Sequence, residues 1–194
     1  MDWKLILQLA GIVLGLIYLY LEYKADIRLW VVGLIMPVVH GTLYFRSGLY
    51  ADASMQLYYI LAGIYGLCMW RRAPRSPHKQ AAAITRTPAA VWMQLTVFYV
   101  ALHAALYVLL TAFTDSSVPV LDSFTTALCI VAYWMLSRKY VEQWLVWLAV
   151  DAVTVGLYLY KGIPLTAGLY GLYTCLALAG YLRWRRQMAA ADGK

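Results

Sequence analysis

The sequence predicts an all-α integral membrane protein with seven transmembrane helices. Of its 194 residues, 63% are hydrophobic and only 13% are charged, whereas soluble domains carry about 45–50% and about 25% of these classes. The mean hydropathy is +0.66. The apolar residues fall into seven runs that approach the ~20 residues needed to cross a bilayer. These observations exclude a soluble enzyme and a soluble DNA-binding module.

The predicted spans follow one another with short connections, except for a longer basic segment after the third. They are Leu5–Tyr23, Leu29–Phe45, Ala53–Trp70, Val91–Phe113, Ser123–Leu136, Trp144–Tyr160 and Leu165–Leu182. The first span lacks a small-residue cleavage site and is followed directly by similar spans, so we do not interpret it as a cleavable signal peptide.

The basic residues predict the orientation of the chain in the membrane. All but three of the 16 Lys and Arg residues follow an odd-numbered span, and the exceptions are Lys4, Arg46 and Lys161. Because basic residues concentrate on the cytoplasmic side, the N-terminus is predicted outside and the C-terminus in the cytoplasm. We interpret the basic stretch RRAPRSPHKQ as part of this signal, in preference to a site for anionic lipid or nucleic acid.

The chain contains an internal repeat. A shift of 114 positions aligns its two ends without a gap, placing Trp30 on Trp144, Gly66 on Gly180 and Trp70 on Trp184. Spans one to three and five to seven are therefore interpreted as two copies of one unit. The single span between them gives both copies the same orientation, which predicts a 3+1+3 parallel repeat.

This repeat predicts how the chain is organised. The predicted segments are a first three-helix bundle (1–72), a basic cytoplasmic loop (73–90), a linker helix (91–113), a second three-helix bundle (121–186) and a cytoplasmic tail (187–194). Transporters commonly bind substrate at the bilayer midplane between such repeats. The architecture therefore favours a transporter, with a channel as the alternative.

The sixth span carries one ionisable residue, Asp151, near its centre. A carboxylate there costs about 2.5–3.5 kcal/mol on insertion, so it is expected to face a cavity or a partner. Trp144, Trp147, Thr154 and Tyr158 share its helical face. Indoles beside a carboxylate suit a flat cation. The alternative is that the tryptophans anchor the helix at the interface and Asp151 bonds a neighbouring helix.

Further candidate binding residues lie in the second and third spans. Gln56 and Tyr59 are placed to hydrogen-bond a solute, or simply to pack between helices. Pro37, at the repeat position of Asp151, removes a helical hydrogen bond and frees a carbonyl for a ligand or a hinge. Met36, which precedes it, is included among the candidates. A plain packing kink is the alternative.

Signals of catalysis and of cofactor binding are missing from the sequence. Cys68, Cys129 and Cys175 lie apart inside apolar runs, which predicts small buried hydrophobes and no disulfide. The sequence has no phosphate-binding loop and no metalloprotease or serine hydrolase motif. We therefore expect no cofactor, no metal and no enzymatic activity; an intramembrane enzyme would depend almost entirely on Asp151.

Several long motifs resemble a known family. LWVVGLIMP, GLYADASMQLYYILAGIYGLCMW and SRKYVEQWLVWLAVDAVTVGLYLYKG are similar to the PnuC family of bacterial vitamin transporters, from about the second span to the C-terminus. The resemblance implies a SWEET-like core in the bacterial inner membrane and a homotrimer. It also implies facilitated diffusion of an unphosphorylated vitamin precursor, which a cytosolic kinase then traps by phosphorylation.

The resemblance also implies site residues and a substrate class. Positions that match the site of the nicotinamide riboside branch are Trp144, Trp147, Gln56, Tyr59 and Tyr158. The chain departs from that branch at Gly63 and Leu67, where the branch has asparagine and tryptophan, and at Asp151, where it has asparagine. These differences favour thiamine slightly over nicotinamide riboside. Nicotinamide riboside, and a proton-coupled carrier that uses Asp151 as its relay, are the alternatives.

Overall fold

The structure is a computed structural model that describes residues 3–46, 50–72, 84–114, 118–160, 162 and 164–192. These residues form seven helices, as predicted. The helices are α1 (Trp3–Tyr23), α2 (Leu29–Arg46), α3 (Tyr50–Arg72), α4 (Ala89–Phe113), α5 (Pro119–Ser137), α6 (Gln143–Tyr160) and α7 (Pro164–Asp192). The chain divides into two compact units, residues 1–82 and 83–194, and each is described separately.

The outer surfaces of the helices are typical of a membrane protein. Within the described residues, α4, α5 and α6 are each long and apolar enough to span a bilayer, and Val13–Tyr23 and Leu29–Thr42 form shorter apolar stretches. Leu95 is the one buried residue of α4. Large apolar side chains elsewhere on α4, such as Val97 and Val108, point outward, as expected where lipid replaces water.

Helix α5 begins four residues before the predicted Ser123. Pro119 stands at the first helical position, where a missing N–H costs nothing because no helical acceptor exists there. The Ser123 hydroxyl donates to the Pro119 carbonyl at 2.7 Å and the Thr125 hydroxyl to the Leu121 carbonyl at 2.9 Å. A hydroxyl that donates a hydrogen bond to its own helix enters an apolar environment at little cost in free energy, so these polar residues do not end the helix.

Helix α7 continues ten residues beyond the predicted Leu182, to Asp192. The basic residues Arg183, Arg185 and Arg186 end the apolar run but not the helix, because arginine, glutamine, methionine and alanine are all good helix formers. The apolar pattern therefore located the membrane-embedded part and not the end of the helix.

In the first unit, α2 packs against α1 and α3. The fully buried ring of Trp30 meets Trp70 edge to face, with 5.6 Å between centroids and 85° between planes. A Cβ atom on Gly66 would overlap the Trp30 ring. We call Trp30, Gly66 and Trp70 the first clasp. Only glycine at position 66 leaves room for the indole.

In the second unit, α6 packs against α5 and α7, and α5 packs against α4. Trp144 meets Trp184 with 5.7 Å between centroids and 88° between planes. A Cβ on Gly180 would lie 2.7 Å from the Trp144 ring. Trp144, Gly180 and Trp184 form the second clasp. Each member lies 114 positions after its counterpart in the first clasp, so the sequence repeat is also a repeat of local packing.

The turns between α1 and α2 and between α5 and α6 repeat as well. Ala25 and Lys139, again 114 positions apart, have left-handed backbone with φ of 54° and 57°. In each turn the N–H of this residue donates to the carbonyl three residues earlier in the chain, at 2.9 Å. The N–H of the following residue donates to the carbonyl five residues earlier, at 2.9 Å in the first turn and 3.1 Å in the second. This pattern closes a helix C-terminus by satisfying its last carbonyls.

Only the second of these turns carries an additional segment. The Thr85 N–H donates a hydrogen bond to the Lys139 carbonyl at 3.2 Å, and the Thr85 carbonyl accepts one from the Val141 N–H at 3.0 Å. The Glu142 carboxylate accepts hydrogen bonds from the Thr87 N–H at 2.9 Å and hydroxyl at 2.8 Å. We call the segment from Thr85 to Thr87 the strap. It ties the start of α4 to the α5–α6 turn.

In the first turn the counterpart of Glu142 is Arg28, which pairs with Asp26 at 2.7 Å. Hydrogen bonds from the Arg28 side chain, the largest influence, together with its charge, lower the pKa of Asp26 below its ordinary value. The pair lies at the surface, and the Arg28 side chain is 73% exposed. Both members of this pair belong to the first turn, whereas Glu142 binds Thr87 in the strap.

One prediction is wrong and others stay untested. Within the described chain, Cys68 and Cys175 are exposed and Cys129 is intermediate, because an apolar run places a residue in lipid as readily as in the protein interior. Most of the basic loop, residues 73–83, and Lys161 lie outside the described residues. The predicted domain boundaries and membrane orientation stay predictions.

Candidate functional site

Asp151 lies in the middle of α6 and its side chain is 7% exposed. Helices α5 and α7 flank it, and the carboxyl lies within electrostatic reach of Cys129 on α5 and of Tyr170 and Tyr173 on α7. The spacing of α6 placed Asp151 and Tyr158 on one face, and the structure adds two tyrosines from the neighbouring helix. The carboxylate is therefore enclosed within the second unit.

Two polar groups of α6, the Asp151 carboxylate and the Trp147 indole N–H, have no hydrogen-bond partner among the described residues. No side chain in the described part of the chain donates a hydrogen bond to the Asp151 carboxylate. The Thr154 hydroxyl, one turn away, donates to the Val150 carbonyl at 2.7 Å instead. The buried Trp147 Nε1 has no acceptor among the described residues. Buried polar groups are normally paired, so these two are available to a solute.

Three tyrosines of α6 and α7 form an aromatic cluster, and two of them, Tyr170 and Tyr173, lie within electrostatic reach of Asp151. The rings of Tyr158 and Tyr170 stack with 5.4 Å between centroids and 16° between planes. Tyr173 meets Tyr170 edge to face, with 5.7 Å between centroids. Tyr170 and Tyr173 are missing from the residues that sequence analysis selected. The repeat itself could have found them, because a shift of 114 places Gln56 on Tyr170 and Tyr59 on Tyr173.

The two tryptophans of α6 lie in different surroundings. Trp144 is held in the second clasp and is 2% exposed, which gives it a packing role. Trp147 packs beside a core cluster on α4, α5 and α6 that includes Leu95, Val131 and Met135. Their participation in substrate binding stays a prediction. Both indole N–H groups are buried without an acceptor among the described residues, and Trp147 is the one that is not held in a clasp.

Gln56 lines a groove between α2 and α3 of the first unit. The groove has a volume of about 380 Å³ and is lined by Pro37, Val38, Gly41, Thr42, Phe45, Arg46, Gln56, Leu57 and Ile60. A Cβ on Gly41 would lie 3.4 Å from that of Gln56, so this glycine lets the glutamine approach α2 closely. The groove is therefore mostly apolar, with Gln56, Thr42 and Arg46 as its polar groups.

Two predicted site residues of the first unit lie away from this groove. The terminal methyl of Met36 is directed toward Gly15 on α1, and Tyr59 packs edge to face against Tyr58. Neither contributes to the groove lining. Pro37 does line it, inside a helix that continues from Leu29 to Arg46. Proline at this position leaves the Gly33 carbonyl without its helical donor.

The chemistry of the second unit suits a cation with a flat ring. A carboxylate within hydrophobic surroundings attracts positive charge strongly, and aromatic faces bind cations and other flat rings. No group of three or more His, Cys, Asp or Glu side chains that could hold a metal ion occurs in the described ranges. The charged and aromatic side chains of this region are of the kinds that bind flat cations, and their role as a binding site stays a prediction.

Comparison with known proteins finds transporters among the relatives of this chain. The chain is 26% identical over 202 residues to the nicotinamide riboside transporter PnuC of Escherichia coli, covering 92% of this chain and 84% of that protein. It is 28% identical over 184 residues to the riboflavin/roseoflavin transporter RibM of Streptomyces davaonensis, covering 91% and 83%. Both relatives are named as transporters, which is consistent with a protein that is not an enzyme.

A solved structure and a family model support the same relationship. The crystal structure of the vitamin B3 transporter PnuC matches with a TM-score of 0.71 and 22% identity, over 93% of this chain and 80% of that one. It shows the fold shared by the two proteins. The model of the nicotinamide mononucleotide transporter family matches residues 5–186. The chain therefore belongs to this family, that of the PnuC vitamin transporters, and is a multi-pass membrane protein.

Proposed function

We propose that this protein carries an unphosphorylated, cationic vitamin precursor across the bacterial inner membrane by facilitated diffusion. Phosphorylation by a cytosolic kinase then traps the solute and keeps the inward gradient in place. The observation that carries the proposal is the buried Asp151 carboxylate, which has no hydrogen-bond donor in the described chain and lies within electrostatic reach of Tyr170 and Tyr173. Such a group is expensive in a membrane unless a ligand or partner compensates it.

Two vitamin precursors fit this chemistry. Thiamine carries a permanently charged thiazolium ring, and nicotinamide riboside carries a charged pyridinium ring. The carboxylate at Asp151, where the nicotinamide riboside branch has asparagine, favours thiamine. The names of the relatives favour nicotinamide riboside at least as strongly. Because both are flat cations, stacking and charge attraction do not separate them, and the choice is experimental.

Calorimetric titration of the purified protein in detergent with thiamine and nicotinamide riboside, in parallel, tests the proposal. Binding of either solute supports a cationic vitamin precursor, and the tighter of the two identifies the substrate. Riboflavin, which is neutral, serves as the comparison because one relative carries it by name. Binding of riboflavin alone would contradict the proposal.

Coupling to protons is the second candidate, because Asp151 is a buried carboxylate without a hydrogen-bond donor in the described residues. Proton relays in membrane proteins use such groups. Uptake into liposomes that contain only this protein distinguishes passive transport from proton-coupled transport. A passive carrier equilibrates the solute regardless of an uncoupler, whereas a coupled carrier accumulates it and loses the accumulation when an uncoupler is added.

We also propose the membrane arrangement. Bundles 1–72 and 121–186 are parallel copies in a SWEET-like fold, joined by the linker helix, with the N-terminus outside and a trimeric assembly. The matched clasps and turns support the repeat, and the distribution of basic residues supports the orientation. The orientation is tested by introducing a cysteine at each terminus of the protein and labelling whole cells with a reagent that does not cross the membrane. Only the N-terminal cysteine should react.

A further inference from the structure

Tyr170 is the residue of the aromatic cluster that the fold itself does not explain. Its counterpart in the first unit, 114 positions earlier, is Gln56. The two copies share their clasps and turns, so the same scaffold accepts glutamine at this place. Tyr173, in contrast, aligns with Tyr59, so tyrosine is common to both copies there. An aromatic ring at 170 is therefore a property of the second unit alone.

Tyr170 has in its surroundings the two kinds of group that bind a flat cation, namely aromatic rings and a carboxylate. Tyr158 lies almost parallel on its face, with 16° between the ring planes, so this face accepts a second flat ring. Tyr173 supports it from α7 through an edge-to-face contact. Asp151 on α6 lies within electrostatic reach. The counterpart of Asp151 in the first unit is Pro37, so the first copy has neither the carboxylate nor the aromatic ring at these two positions.

We propose that Tyr170 is the aromatic platform on which the charged ring of the substrate lies, with Asp151 as its counter-ion. The site thereby selects permanently charged aromatic rings over neutral rings of the same shape. This inference depends on the proposed transport of a cationic vitamin precursor. A substrate ring on this face takes the place of Tyr158, whose side chain then turns aside.

Three variants test the platform with thiamine and nicotinamide riboside as probes in calorimetric titration. Tyr170→Gln installs the residue that the first copy holds at the same place, so it should fold, and it should lower affinity about tenfold or more because cation–π attraction is lost. Tyr170→Phe keeps the aromatic face and should retain most of the affinity. Tyr160→Gln, at an exposed position of α6, is the matched control and should bind as the unchanged protein does.

The outcomes separate the two levels of inference. If the unchanged protein binds neither probe, the proposed function fails. If it binds a probe and Tyr170→Gln binds equally well, the function stands and the platform is wrong. Equal losses in Tyr170→Phe and Tyr170→Gln would also overturn the platform, because the hydroxyl and not the ring would then be the binding group. Melting temperatures of all variants identify any loss that comes from misfolding.

Discussion

The clasp between α2 and α3 and the clasp between α6 and α7 differ by only 0.1 Å in centroid distance, 5.6 against 5.7 Å, and both rings meet nearly at right angles. Farther along the same helices the two units diverge. Pro37 stands where Asp151 stands in the second unit, and Gln56 stands where Tyr170 stands. The shared positions hold helices together, and the divergent positions line a groove in one unit and a charged aromatic cluster in the other.

This contrast shows how a repeated scaffold acquires a function. Where an indole must fit over a glycine, sterics allow few residues, so both copies keep the same pair. In the middle of α2 and α6 the same fold accepts a proline or an aspartate, and near the start of α3 and α7 it accepts a glutamine or a tyrosine. Differences between the copies therefore identify residues that folding does not require, and Asp151 and Tyr170 are the clearest of them.

Substitutions in the shared clasps are expected to have the largest effect, which is a loss of folding stability. Gly180→Ala places a Cβ 2.7 Å from the Trp144 ring, and Gly66→Ala overlaps the Trp30 ring. Each should lower the free energy of unfolding by about 2–3 kcal/mol, because a packed ring has no space to move. Thermal unfolding followed by tryptophan fluorescence measures this effect.

Gly171→Ala provides the matched control, because a Cβ there meets no atom within 4 Å. It should stabilise α7 slightly, since alanine favours a helix over glycine by about 0.5–1 kcal/mol. Equal behaviour of Gly180→Ala and Gly171→Ala would mean that the clasp does not constrain the fold.

The next effect concerns the divergent pair at the helix centres. Asp151→Ala should weaken binding of thiamine or nicotinamide riboside about tenfold or more, because it removes the counter-ion from an enclosed site. Pro37→Ala, at the matching place in the first unit, leaves that charge intact and should change affinity little. Titration calorimetry of both variants makes the comparison, and equal losses would contradict the assignment of charge recognition to the second unit.

A smaller effect distinguishes the two turns. Thr87→Val removes the hydroxyl that donates to Glu142 and should lower the free energy of unfolding by about 1–2 kcal/mol, since a hydrogen bond to a charged group is lost. Thr85→Val is the control, because the bonds that join Thr85 to the turn come from its backbone. In a background of Glu142→Ala the effect of Thr87→Val should disappear. A persisting effect would show that the strap is held by other contacts.

The smallest effect concerns the ion pair of the first turn. The lowered pKa of Asp26 means that its charged form stabilises the folded protein above its ordinary pKa of 3.8, and that this contribution is lost as pH falls through the lowered value. The melting temperature of Asp26→Asn should therefore lie slightly below that of the unchanged protein at neutral pH and converge with it in acid. High salt should reduce the difference, because the pair is exposed. A difference that grows in acid would contradict this sign.

Most of the fold could be predicted from the sequence, because its apolar runs and its repeat are long-range patterns. All seven helices occur where expected, and the largest departures are the start of α5 and the end of α7. Both arise because hydropathy marks where lipid begins, whereas a helix ends where its hydrogen bonding ends. The exposed Cys68 and Cys175 follow the same principle, since lipid-facing and buried positions are equally apolar.

The candidate site was predictable in part. Asp151 stands out as the one ionisable residue of its span, and helical spacing places Tyr158 on its face. Tyr170 and Tyr173 belong to a neighbouring helix, and the rotation of α7 about its axis decides whether they reach Asp151; a tyrosine-rich composition does not reveal this. The strap was equally hidden, because its contacts join Thr87 to Glu142 through residues 55 positions apart.

The clasps also bear on how this chain came to exist. A glycine beneath an indole can change only after the tryptophan has become smaller, so the two positions are expected to evolve together. Since both halves hold the complete pair, at the same separation of 36 residues from Trp30 to Gly66 and from Trp144 to Gly180, the simplest history places it in a single ancestral three-helix unit.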